Sequence, residues 1–157
     1  MNTHVATFGA GCFWGIQYEF DKLDGVIKTT VGYSGGDKEN PTYDEVCSDK
    51  TGHVEVIEIK YDKNIISYDE LLKKFFEIHD PTQVNKQGPD IGRQYRSVIF
   101  YHNEEQKELA EKMKEELQKS EKYSPETIAT AIEPAQGFWK AEGYHQKYIE
   151  KTGQKVC

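Results

Sequence analysis

Apolar residues along the chain fall into short blocks whose period switches between that of a strand and that of a helix. Val5-Ala6-Thr7-Phe8 is a compact apolar run, and Gly9, Ala10 and Gly11 then permit a tight turn. Ile16, Phe20 and Leu23 follow at i, i+4 and i+7, one face of a helix that ends near Asp24-Gly25. Val26 to Val31 reads as a second strand. From His53 to Tyr61 strict alternation puts Glu55, Ile57, Ile59 and Tyr61 on one face of a strand, and Val54, Val56, Glu58 and Lys60 on the other. Ser67 and Glu70 form a capping box that opens a second helix with Leu71, Phe75 and Ile78 on its apolar face, stopping at His79-Asp80-Pro81. Val98 to Tyr101 is a short buried-type strand; Asn103 and Gln106 then cap a third helix, through about Lys119, with Leu109, Met113 and Leu117 as its stripe. Thr127 to Ile132 reads as a last strand, and Pro134, Gly137, Gly143 and Gly153 break up the aromatic segment that ends in Cys157.

The first six elements in this order read βαββαβ, which predicts an α+β two-layer sandwich with a ferredoxin-like core and an irregular C-terminal segment. Two stretches, Gly32 to Gly52 and Thr82 to Arg96, lack either period. Connections that long inside a compact domain are usually functional loops.

Composition narrows the function classes. At 157 residues the chain has the size of one domain, taken as residues 1–157. A net charge of −7 disfavours nucleic acid as a partner. No apolar run approaches the ~18 residues of a membrane span, and no basic-then-apolar signal pattern opens the sequence, so no membrane association and a cytoplasmic location are expected. The three cysteines, at 12, 47 and 157, form neither a secreted disulfide framework nor a CxxC pair, and the five histidines show no metal-ligand spacing. Any cysteine chemistry is therefore expected to need no metal and no cofactor.

Cys12 lies between two glycines, with two aromatic rings directly behind it, where the first strand turns into the first helix. Unpaired N–H groups and the positive end of the helix dipole favour a thiolate there, which makes a cysteine reactive. A small buried cysteine packed under Trp14 fits the same pattern. Glu55 shares its strand face with large apolar residues, an environment that raises a carboxyl pKa and suits a general acid, although a strand-end position open to water is also compatible. The loop residues Tyr43, Asp90 and Tyr95 carry no signal of their own beyond turn and packing chemistry.

Gly11-Cys12-Phe13-Trp14-Gly15 resembles the catalytic motif of the A-type peptide methionine sulfoxide reductases, and the likeness extends from Phe8 to about Ile149. Pro41-Thr42-Tyr43, Gly52-His53-Val54-Glu55-Val56, His79-Asp80-Pro81-Thr82-Gln83, Gly88 to Ser97, and Phe138 to Gln146 match further segments of that family, where an acidic residue is more usual at the position of Gly143. The resemblance implies Cys12 as nucleophile, Glu55 as proton donor, Tyr43 and Tyr95 as hydroxyls around the sulfoxide oxygen, Phe13 and Trp14 as the wall around the substrate methyl group, and Asp90 as a substrate-binding residue. It also implies reduction of the S epimer of methionine sulfoxide, free or in proteins, as repair after oxidative damage, with thioredoxin or a similar dithiol as reductant. The residue types fit that reaction: an electrophilic sulfur needs a thiolate, and its oxygen needs a proton and hydrogen-bond donors. Attack would leave Cys12 as a sulfenic acid that a second thiol clears. Cys157, at the end of the chain beyond Gly153, is the expected resolving thiol, with Cys47 as its competitor. Two other readings stay open: a peptide-binding module in which Cys12 is an inert wall residue, and a cysteine hydrolase using His53 or His145.

Overall fold

The computed structural model describes residues 2–48, 50–123 and 126–152. Strand β1 (Thr3–Ala10) is followed by helix α1 (Phe13–Asp21), strand β2 (Val26–Ser34), short helix α2 (Tyr43–Cys47), strand β3 (Val54–Asp62) and helix α3 (Tyr68–Glu77). A two-residue-per-arm hairpin, β4 (Lys86–Gln87) and β5 (Asp90–Ile91), leads to strand β6 (Ser97–Tyr101), helix α4 (Glu104–Gln118), strands β7 (Ala131–Pro134) and β8 (Trp139–Lys140), and helix α5 (Tyr148–Thr152).

The main sheet runs β7-β6-β1-β3-β2-β8. Its inner four strands are antiparallel throughout and, with α1 and α3 as crossovers, reproduce the βαββαβ order expected from the periodicity. The main core lies between this sheet and α1, α3 and α4, where Phe8, Ile57, Ile59 and Ile99 meet Phe20, Leu72 and Phe75. Burying such a side chain contributes roughly 1.5–3 kcal/mol. Val54, Val56, Val98 and Phe100 form a second, smaller cluster, with Phe138 packed on it. The alternation along β3 is thus obeyed, and Glu55 shares the register of the main-core residues Ile57 and Ile59, paired across to Tyr33.

Three boundaries differ from the expectation. The Gly32–Gly52 stretch is not all loop: β2 runs on to Ser34, and Thr42 opens α2 with a capping box in which its hydroxyl accepts from Glu45 N–H and the Glu45 carboxylate accepts from Thr42 N–H. The last strand is displaced to Ala131–Pro134, where it pairs parallel with β6. Before it, Ile128 N–H donates to the Gln118 side chain, Ala129 N–H to Pro81 O, and Thr130 O accepts from Lys114, so these backbone groups are already satisfied without a strand neighbour. The C-terminal segment is less irregular than expected: β8 adds to the free edge of β2, and a 3-10 turn, Gly143–His145, precedes α5. A Cβ at Gly143 would meet nothing within 4 Å, so no close packing requires a glycine at the position where this chain departs from the family.

Candidate active site

Cys12 is the N-cap residue of α1, in extended conformation, immediately after Gly11 at φ +97°. That positive φ is cheap only for glycine and turns the chain from β1 into the helix. The helix has no acidic residue in its first turn and the N-cap side chain makes no capping hydrogen bond, so its N-terminal N–H groups remain for other acceptors. One of them is used at once: Phe13 N–H donates to Glu55 Oε1 at 3.2 Å. The two residues singled out as nucleophile and proton donor therefore sit on either side of one peptide unit.

Glu55 is 1 % exposed, and its second oxygen, Oε2, is buried without a hydrogen-bond partner among the described residues. Burial pushes its carboxyl up to about 8; the Phe13 N–H opposes the shift and the nearby Asp90 carboxylate adds to it. A carboxyl in that state holds a proton on Oε2 near neutral pH.

Tyr43 opens α2, and burial raises its phenol well above the usual range, helped by its hydrogen bond with Cys47 and by the charge of Glu55. Burial also raises Tyr95 to about 12, with Glu55, Cys47 and Asp90 adding to the rise and a hydrogen bond from Tyr43 opposing it. Both phenols thus stay protonated donors, and they, Glu55 and Asp90 lie close enough to act on one another. Asp90 comes from β5, its carboxyl raised by burial. A cleft of about 350 Å³ runs beside Cys12, lined also by Ile16, Tyr18, Ile78, Pro89 and Asp90. Glu55, Phe13, Trp14, Tyr43 and Tyr95 do not line it; Glu55 reaches the start of α1 through the Phe13 N–H.

The two rings behind Cys12 differ. Phe13 is 1 % exposed and packs against Tyr33 and His145, with centroids 5.7 and 5.2 Å away. Trp14 is half-buried, stacked on Tyr148 at 3.9 Å, and its indole N–H donates to His145 Nδ1 at 2.9 Å. Cys12 is disulfide-bonded, whereas Cys47 is a free, exposed cysteine at the end of α2. Cys157 lies outside the described residues. Cys47, the competitor for the resolving role, stands beside Tyr43 and Gln94, and burial raises its thiol pKa.

The periodicity reading passed over Glu142 and His145. Glu142 accepts from Tyr43 N–H and from the Tyr33 hydroxyl, each at 3.0 Å, and His145 touches four aromatic rings. Both lie in a segment with no repeat to read, where the signals were the family likeness of Phe138 to Gln146 and His145 as a base in the hydrolase alternative. The hydrolase alternative loses its bases: His53 accepts Gly36 N–H at Nδ1 and bonds Lys38 O through Nε2, and His145 Nδ1 is taken by Trp14. Among the described residues no group of three or more His, Cys, Asp or Glu side chains is placed to hold a metal ion, and no helix is long and apolar enough to cross a membrane.

Residues 4–157 match the family model described as peptide methionine sulfoxide reductase. The chain is similar to the peptide methionine sulfoxide reductase MsrA of Methanothermobacter thermautotrophicus, 53% identical over 152 residues that cover 97% of this chain and 89% of the relative. Among solved structures it is similar to Mxr1 from Saccharomyces cerevisiae in reduced form, with a TM-score of 0.92 and 38% identity over 99% of this chain and 89% of that one. It is also similar to Mxr1 from the same organism in complex with Trx2, with a TM-score of 0.66 and 29% identity over 94% of this chain and 85% of that one.

Proposed function

The chain belongs to the peptide methionine sulfoxide reductase family, an enzyme that reduces methionine sulfoxide to methionine, and from that premise we propose that it acts on the S epimer through a sulfenic acid on Cys12. The Cys12 sulfur attacks the sulfoxide sulfur while the proton on Glu55 Oε2 passes to the departing oxygen. The Tyr43 and Tyr95 hydroxyls donate hydrogen bonds to that oxygen as charge develops on it. Phe13 and Trp14 form the apolar side that receives the methyl group, and Asp90 holds the substrate. The oxygen moves to Cys12, which is oxidised by two electrons to the sulfenic acid, and the thioether leaves as methionine.

The observation that carries this reading is the pairing at the helix N-terminus: Glu55 Oε1 is anchored by the N–H next to Cys12, while Oε2 is buried, unpartnered and in a carboxyl with its pKa near 8. The Cys157 thiol then displaces hydroxide from the sulfenic sulfur, giving a disulfide and water, and an external dithiol such as thioredoxin reduces that disulfide. Cys47 remains a free thiol although Cys12 is disulfide-bonded, which supports Cys157 as the resolving partner. The Mxr1–Trx2 complex supports a thioredoxin-type reductant. Such an enzyme repairs oxidised proteins, as one domain over residues 1–157, and a cytoplasmic setting suits it.

The test is one turnover of the reduced protein on each epimer of a methionine sulfoxide peptide, without reductant. The S epimer should yield methionine and a Cys12–Cys157 disulfide by mass mapping. Cys12→Ser should yield none, and Cys157→Ser should yield one equivalent and a trappable sulfenic acid on Cys12. Methionine formation by Cys12→Ser would remove Cys12 from the mechanism, and a Cys12–Cys47 disulfide alone would remove Cys157.

A further inference from the structure

His145 is fully buried in the middle of the rings around the proposed substrate site, with centroids 4.5 Å from Tyr43, 5.2 Å from Phe13, 5.6 Å from Trp14 and 4.1 Å from Tyr144. An indole nitrogen can only donate, so the 2.9 Å bond from Trp14 Nε1 requires a bare His145 Nδ1 and puts the imidazole proton on Nε2. That Nε2 is buried without a partner among the described residues. A histidine in an aromatic cluster with one nitrogen unsatisfied costs more than an apolar ring of the same size would, so packing alone does not account for it. What the imidazole adds is an acceptor that locks the rotation of the Trp14 indole. Glu142, three residues earlier, does the same for the neighbouring wall by holding Tyr43 N–H at the start of α2.

We infer that His145 is a positioning residue for methionine sulfoxide binding: as a neutral acceptor it fixes the plane of Trp14, and the 3-10 turn that carries it also brings Glu142 to Tyr43. The inference rests on the reading in which Trp14 and Tyr43 face the substrate. It carries a protonation requirement, because an imidazolium has no acceptor for the indole. Burial holds the imidazole below its ordinary pKa, opposed by the Glu142 carboxylate; the other groups facing it are the neutral phenols of Tyr43 from α2 and Tyr144 from its own turn, and the uncharged rings of α1.

The experiment uses the full chain, a peptide containing the S-sulfoxide and dithiothreitol. His145→Phe keeps a ring and loses the acceptor, whereas His145→Asn keeps an acceptor near Nδ1. The expected result is a roughly tenfold higher KM for His145→Phe with kcat changed by less than about threefold, and rescue of KM by His145→Asn. In a Trp139→Phe background Trp14 is the sole tryptophan, and its emission should fall as the pH drops below the ordinary imidazole range and His145 protonates. Adding His145→Phe should abolish that titration. An unchanged KM in His145→Phe, no rescue by His145→Asn, or a flat Trp14 emission profile would each overturn the inference; the last holds even where His145→Phe does not fold. An unchanged KM in Trp14→Ala would instead sink the reading of Trp14 as a substrate wall, and the emission titration reports on the His145–Trp14 link independently of that.

Discussion

At the scale of single residues, Glu55 decides most. Its folded carboxyl keeps a proton up to about 8 that the unfolded chain releases near 4.5. A raised acid makes the folded state the better proton binder across that window, so its contribution to stability is most favourable below pH 4.5, shrinks as pH rises towards 8, and is constant above. Glu55→Gln removes the dependence, and the variant should gain on the parent by a few kcal/mol between pH 5 and pH 8, read as diverging thermal midpoints; parallel midpoints would show that the carboxyl titrates normally. The same substitution should slow single-turnover methionine release by about 10²–10⁴-fold, and the parent's rate should decline above pH 8 as the donor ionises. The face that carries Glu55 was legible from strand alternation, because a period of two assigns a face without knowledge of what covers it; whether the strand end reached water was not. Asp90 and Tyr95 were not, since nothing local marks a loop residue that becomes important only by proximity to Glu55.

Among the elements, α2 is the least expected and one of the most consequential. Five residues carry no apolar period, so the helix rests on its Thr42–Glu45 capping box and on Val46, which is 1 % exposed. The Thr-x-x-Glu signature was present in the sequence without the apolar run that normally confirms it. Removing the cap with Thr42→Ala should cost about 1 kcal/mol, a drop of about 2–4 °C in Tm. Because α2 begins with Tyr43, KM for the sulfoxide should rise as well; an unchanged KM alongside a lower Tm would mean that Glu142 alone holds Tyr43 in place. The displaced last strand has the opposite cause. Residues 127–130 have strand-like composition, but side chains of α4 take their backbone groups, and no local pattern reports a hydrogen bond from a helix ahead in the chain.

Over the whole molecule, the C-terminal segment closes the site from a distance. Gln146 bonds both N–H and O of Val31, Lys147 reaches Asp21 and Thr29, and β8 pairs with Gly32 and Tyr33, so that Glu142 and His145 are delivered from one direction. Gly32 lies where a Cβ would clash with Trp139 O and the Phe138 ring. Gly32→Ala should push β8 away, cost about 1–3 kcal/mol and raise KM by several-fold, although position 32 is in the sheet; kinetics identical to the parent would separate the β8 edge from the site. What the sequence by itself determined is the set of elements whose signals are local: the βαββαβ order from periodicity, the starts of α3 and α4 from their caps, and Cys12 at a strand-to-helix turn from its glycines. What only the tertiary structure decided is which distant groups share a space: Glu55 against the Phe13 N–H, 42 residues away, and Trp14 against His145, 131 residues away. Periodicity records how each segment meets a core; it holds no information about which loop lies across which helix end, because that follows from strand order and the closing of the sheet's edge.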